Sequence, residues 1–215
     1  MLEGMTINNA LIAVVLDRSG SMENLREDTI GGFNAFLEEQ RKVPGKCLFT
    51  LAQFDTVYEM VAHNIPLTDA QPLTRDTFVP RGGTALLDAM GRTLNTLEQD
   101  LAELEKTGNK PEKIYFVLIT DGDENQSTEF SRDQVFQMIS DRRQNSAWEF
   151  IFLAANQDAI KSGGAYGFAA GSSMSYNDSG TRGCYGSVSS NIASSRSTGQ
   201  GISFSAGDRN ASMGH

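Results

Sequence analysis

Two apolar runs constrain this chain more than any other feature. Residues 10–16 and 114–119 are continuously apolar rather than alternating, and aspartates, Asp17 and Asp121, stand at or just beyond their ends. A short uninterrupted apolar run fits a strand covered on both faces, as in a parallel sheet flanked by helices. Both runs fall far short of the roughly 20 residues needed to cross a bilayer.

The remaining segments fit that architecture. Residues 7–16 read as a central strand after a frayed lead over 1–6. Apolar residues at near-helical spacing (Leu25, Ile30, Phe33, Phe36, Leu37) predict a helix over 22–42, stopped by Pro44-Gly45. Strands are expected over 47–54 and 57–62, joined by a tight turn at Asp55-Thr56. Residues 64–83, punctuated by three prolines, read as mostly loop. Leu86, Met90, Leu94, Leu97 and Leu101 mark a long amphipathic helix over 85–106. Ser131 with Gln134 forms a capping box for a further helix. A strand over 150–154 and a short helix over 158–166 follow. Strands alternating with helices predict an α/β fold with a mainly parallel sheet, right-handed crossovers and one antiparallel edge strand from the hairpin.

Beyond residue 161 Ser and Gly dominate. Cys184, Val188 and Ile192 recur at helical spacing and predict a closing helix over 181–197. Gly183 and Gly186 weaken it by about 1 kcal/mol each, and a disordered end is expected after it. The division read from composition is one domain over 7–176 and a Ser/Gly-rich segment over 177–215.

Three loops carry the chemistry. Asp17-Arg18-Ser19-Gly20-Ser21 alternates one carboxylate with two hydroxyls where a strand becomes a turn. Arg81-Gly82-Gly83-Thr84 brings a hydroxyl to the mouth of a helix, and Thr120-Asp121-Gly122 closes the second apolar run. In an open α/β sheet, ligands collect beyond the carboxyl ends of the strands, so the three converge there. Oxygen-only donors suit a hard divalent cation such as Mg²⁺.

Asp-x-Ser-x-Ser, Gly-Gly-Thr and Thr-Asp-Gly, in this order, resemble the metal-ion-dependent adhesion site of von Willebrand factor A (vWA) domains, over roughly residues 8–176. The resemblance implies a Rossmann-like fold with Mg²⁺, or Mn²⁺ or Ca²⁺ in its place. It also implies Ser19, Ser21 and Thr84 as direct ligands, with Asp17 and Asp121 acting mainly through water. The sixth position falls to a Glu or Asp from a partner protein. Prokaryotic relatives of this kind often work beside a MoxR-type AAA+ ATPase or in stress-resistance systems, which makes such an ATPase the implied partner.

Composition narrows the alternatives. The net charge is −9; residues 161–215 carry four Lys/Arg against two Asp/Glu, leaving −11 on the first 160. So acidic a body argues against nonspecific nucleic-acid binding. Two cysteines and the lack of a signal-like leader point to a cytoplasmic protein. Residues 121–132 start like an EF-hand loop, but Gln126 and Arg132 occupy the positions that require Gly and Glu. A Mg²⁺-dependent phosphohydrolase of the haloacid dehalogenase type is the runner-up. It wants a second Asp where Ser19 stands and a nearby Lys, whereas Lys106, Lys110 and Lys113 are expected at the opposite sheet edge. A scaffold with a purely structural metal is the third reading. Asp123, Glu124 and Asn125 read as a solvated acidic rim. Asp88 reads either as a support for the metal or as an exposed helix acid.

Overall fold

The computed structural model describes residues 9–145 and 147–215; the expected lead and the first two residues of the first strand lie outside them. Among the described residues six strands form one sheet: β1 (Asn9–Asp17), β2 (Lys46–Phe54), β3 (Tyr58–Pro66), β4 (Lys113–Thr120), β5 (Trp148–Ala155) and β6 (Ser173–Tyr176). Their order is β3-β2-β1-β4-β5-β6, with only the β2–β3 pair antiparallel. The α/β fold read from the alternation of elements is the one observed.

β1 explains why its sequence is apolar throughout. Ala10, Ile12, Val14 and Leu16 face one layer, with Phe33, Phe36, Tyr185, Val188 and Ile192. Leu11, Ala13 and Val15 face the other, with Leu86, Met90, Leu94, Val135 and Ile139. The first layer is built by α1 (Arg26–Lys42) and α5 (Thr181–Thr198). The second is built by α2 (Leu86–Lys106), α3 (Arg132–Arg143) and the short α4 (Ala159–Ala165). A strand with an apolar side chain on both sides at every step fits only a doubly covered position.

The structure departs from the sequence reading in four places. A 3-10 turn, Gly20–Leu25, precedes α1, and β3 continues to Pro66 into the stretch read as loop. β6 has no counterpart among the expected strands. The segment expected to be disordered instead forms α6 (Ala206–Ala211), started by a capping box between Ser205 and Asp208. It lies along the outer edge of β6, where Arg209 donates to the Ser173 and Ala170 carbonyls and Ser212 Oγ to the Ser175 carbonyl.

Cys47 and Cys184 are both free thiols. Burial raises the Cys47 thiol to about 11, which makes it a poor nucleophile. Among the described residues no helix is long and apolar enough to cross a membrane.

Candidate metal centre

β1 and β4 are parallel neighbours, so Asp17 and Asp121 emerge side by side at the carboxyl end of the sheet. Asp17 is fully buried. One carboxylate oxygen accepts the Ser19 N–H at 2.7 Å, and the other accepts the Thr120 hydroxyl at 2.6 Å. The first bond folds the chain back so that Ser19 and Ser21 project together, their hydroxyls 3.1 Å apart. Ser21 donates to Asp121 Oδ1 at 2.7 Å.

Thr84 arrives from the other side. Gly20 N–H donates to the Gly82 carbonyl at 3.2 Å, and Arg81 N–H to the Arg18 carbonyl at 2.8 Å, which ties the two loops together. Gly82 holds φ at +67°, a conformation that favours glycine. A Cβ on Gly122 would stand 3.0 Å from Thr84 Oγ1 and 3.5 Å from Ser21 Oγ. All five residues singled out from the sequence therefore meet around one small volume.

The acids lack a cationic counterpart: among the described residues neither Asp17 nor Asp121 forms an ion pair. Burial raises the Asp17 carboxyl to about 6, against the hydrogen bonds from Thr120 and Ser19, and the nearby Asp121 adds to the rise. Burial also raises Asp121, with Asp178 contributing in the same direction. No group of three or more His, Cys, Asp or Glu gathers among the described residues. The donor set is thus two carboxylates and three hydroxyls. That set fits a hard cation and offers nothing to a soft one.

Several supporting residues escaped the sequence reading. Asp55 is buried and accepts Nε of both Arg18 and Arg81 at 2.9 Å, bridging the first two loops. Asn125 accepts the Thr84 N–H at 2.9 Å and returns its own N–H to the Thr84 carbonyl at 3.0 Å. Glu124 accepts the Leu87 N–H at the start of α2, together with the N–H groups of Gln126 and Ser127. Asp123 and Asn125 are exposed, as the rim reading expects, whereas Glu124 is half-buried. Glu124 supplies the helix start with an acceptor that Ala85 does not give it, and Asn125 fixes the Thr84 backbone just before it.

Asp88 fits neither expectation. It is buried and accepts the N–H groups of Thr128, Glu129 and Phe130, each at 2.9 Å, so it anchors a loop. Lys113 begins β4, at the far end of a central strand and not at a sheet edge. His63 pairs with Asp100.

No protein-family model matches the sequence, and no curated protein does. Solved structures match by fold. Proximal thread matrix protein 1 from the mussel byssus, with a zinc-occupied MIDAS motif, aligns with a TM-score of 0.58 at 15% identity, over 88% of this chain and 49% of that one. A von Willebrand factor type A protein from Catenulispora acidiphila aligns with a TM-score of 0.54 at 12% identity, over 87% and 43%.

The fold is that of a vWA domain.

The ArnB paralog VWA2 from Sulfolobus acidocaldarius shares it, with a TM-score of 0.50 at 14% identity over 90% and 47%. This chain spans less than half the length of each of these three structures. In vWA terms, the cluster at Asp17, Thr84 and Asp121 lies at the carboxyl end of the sheet, where an open α/β fold gathers its ligands.

Proposed function

We propose that the chain is a metal-dependent protein-binding module. The observation that carries this reading is the buried, uncompensated Asp17 carboxylate beside Asp121, facing three convergent hydroxyls. Ser19, Ser21 and Thr84 would hold Mg²⁺, with Mn²⁺ or Ca²⁺ as substitutes, and Asp17 and Asp121 would act through its waters. When bound, the ion supplies a positive centre able to accept one more oxygen ligand. The three hydroxyls are neutral, so that centre keeps enough charge to attract a Glu or Asp side chain from a partner protein. The zinc-occupied motif of the mussel protein supports the reading by likeness of fold.

The chain's own residues preorganise the site. Thr120 and the Ser19 amide fix Asp17, Asp55 ties the serine loop to the threonine loop, and Asn125 fixes Thr84 against Asp121. In this reading the module works without catalysis of its own. A cytoplasmic location and an AAA+ ATPase of the MoxR type as partner belong to the same proposal, by analogy of class.

The test is capture of partners from the native host with and without EDTA, using the unaltered chain and Thr84→Ala, alongside calorimetric titration with Mg²⁺. EDTA-sensitive capture lost in Thr84→Ala supports the module. Mg²⁺ binding with EDTA-insensitive capture, or with none, makes the metal a structural tie. Absence of Mg²⁺, Mn²⁺ and Ca²⁺ binding overturns the reading.

A further inference from the structure

Arg196, on α5, is 1% exposed, yet no carboxylate pairs with it among the described residues. Nη1 donates to the Gln40 carbonyl at 2.8 Å and to Gln40 Oε1 at 3.2 Å, and Nη2 reaches the Val43 carbonyl at 3.4 Å. Nε has no partner among the described residues. These oxygens offer dipoles and no charge. A guanidinium withdrawn from water normally brings an acid with it, because an uncompensated buried charge is costly.

Arg196 is also one of the residues lining a cavity of about 380 Å³, within the roughly 300–1,000 Å³ range of small-molecule sites. The cavity lies at the amino-terminal end of the sheet, where β1 and β2 begin, far from Asp17. Its other charged wall residues are Arg41 and Lys46, and it has no acidic one, although the chain as a whole carries −9. Arg41 is engaged with Glu38, whereas Lys46 has no ion partner among the described residues. Leu48, Leu67 and Leu104 supply an apolar lining.

We propose that this cavity binds a monocarboxylate with a linear apolar body, its charge answering Arg196 and Lys46 and its chain lying against the three leucines. The observations favour this class over a bare inorganic anion. Apolar side chains give a multiply charged, strongly hydrated ion no replacement for its water, while an alkyl chain gains by displacing water from them. Arg196 already ties the end of α5 to the end of α1 through the Gln40 and Val43 carbonyls, and the ligand would sit at that junction.

The probe is octanoate, titrated into the full chain by calorimetry and by amide ¹H–¹⁵N NMR, with octanol and inorganic phosphate as comparators. Expected are saturable octanoate binding, shifts centred on residues 46–48, 67 and 109, and at least about tenfold weaker binding of octanol. Arg196→Met is the direct variant, but it lies in the core. Lys46→Glu, at an exposed position, is therefore the variant on which the proposal stands; it should fold normally and weaken octanoate by about tenfold or more. Any of three results overturns the proposal: no saturable octanoate binding, octanol or Lys46→Glu matching the unaltered pair, or phosphate binding there in place of octanoate.

Discussion

Arg18 and Asp55 form a buried ion pair, Nε to Oδ2 at 2.9 Å, and the same oxygen takes Nε of Arg81 at the same distance. Arg18 separates two residues of the serine loop, and Arg81 opens the Gly-Gly-Thr loop. One carboxylate therefore sets the spacing between the hydroxyls of Ser19 and Thr84. Asp55→Ala should cost about 3 kcal/mol, because it removes the buried carboxylate that takes Nε of both arginines and leaves Arg18 only its exposed partner Glu59. It should also weaken Mg²⁺ binding without touching a ligand. Glu59→Gln, at the half-exposed end of the same network, should stay within about 1 kcal/mol. Urea denaturation of the two variants checks the contrast.

Metal should stabilise the fold by mass action. At free Mg²⁺ about 100-fold above its dissociation constant, the gain should be about 2.7 kcal/mol. EDTA should reverse it, and Thr84→Ala should lose it while keeping the metal-free stability. Thermal melts across a Mg²⁺ series give the answer directly.

The metal-free protein should also carry a signature of Asp17 in its pH dependence. Its folded value of about 6 lies above the ordinary 3.8, so the folded chain holds the proton more tightly. That contribution is complete below about pH 4 and lost as pH rises through about 6, a fall of about 3 kcal/mol at most. Asp55 has the opposite slope. Burial opposes its ionisation, but the Val57 amide, Arg81 and Arg18 hold it below the usual range, so its contribution fades as pH falls. The two are separated by subtraction: in EDTA, Asp17→Asn should gain on the unaltered protein between pH 4.5 and 7. An unchanged difference across that interval would remove Asp17 as the source.

Asp88→Ala should cost about 3 kcal/mol by leaving three backbone donors without their acceptor. Hydrogen exchange should accelerate first at Thr128, Glu129 and Phe130. Partner capture should weaken only as far as the loop carrying Asn125 loosens.

Two glycines of α5 that look alike in sequence should behave oppositely. A Cβ on Gly183 would sit 2.2 Å from the Ala211 carbonyl oxygen, so Gly183→Ala should displace α6 and cost about 1–3 kcal/mol. Nothing lies within 4 Å of a Cβ on Gly186, and Gly186→Ala should stabilise the helix by about 1 kcal/mol. Limited proteolysis at the C-terminal end, read beside thermal melts, distinguishes them.

What the sequence made legible follows from period and from proximity along the chain. The unbroken apolar character of β1 and β4 marked them as central, and the capping box at Ser131 marked the start of α3. The five residues of the candidate site stood out because each lies in a short motif beside a strand end or helix start. What stayed hidden depends on contacts distant in sequence. Asp55 looked like a turn residue until its two arginine partners arrived from elsewhere. Asp88 answers amides 40–42 positions away. Glu124 and Asn125 were acidic and amide residues in a loop, and only the fold turns one toward α2 and the other onto the Thr84 backbone. β6 is four residues long and serine-rich, too short and too polar to stand out by alternation.

The C-terminal segment also decides how copies of this sheet can meet. Along the outer side of β6 the exposed carbonyls of Ser173 and Ser175 are taken by Arg209 and Ser212, and the Asn177 amide by the Ser212 carbonyl. Strand alternation brings these alternate residues to one edge, and side chains from the tail fill it as a neighbouring strand would. The sheet is thereby terminated on that flank, and any strand added from outside must join at β3. Growth in both directions, the route from a single sheet to an open-ended stack, is closed off by two side chains and one carbonyl.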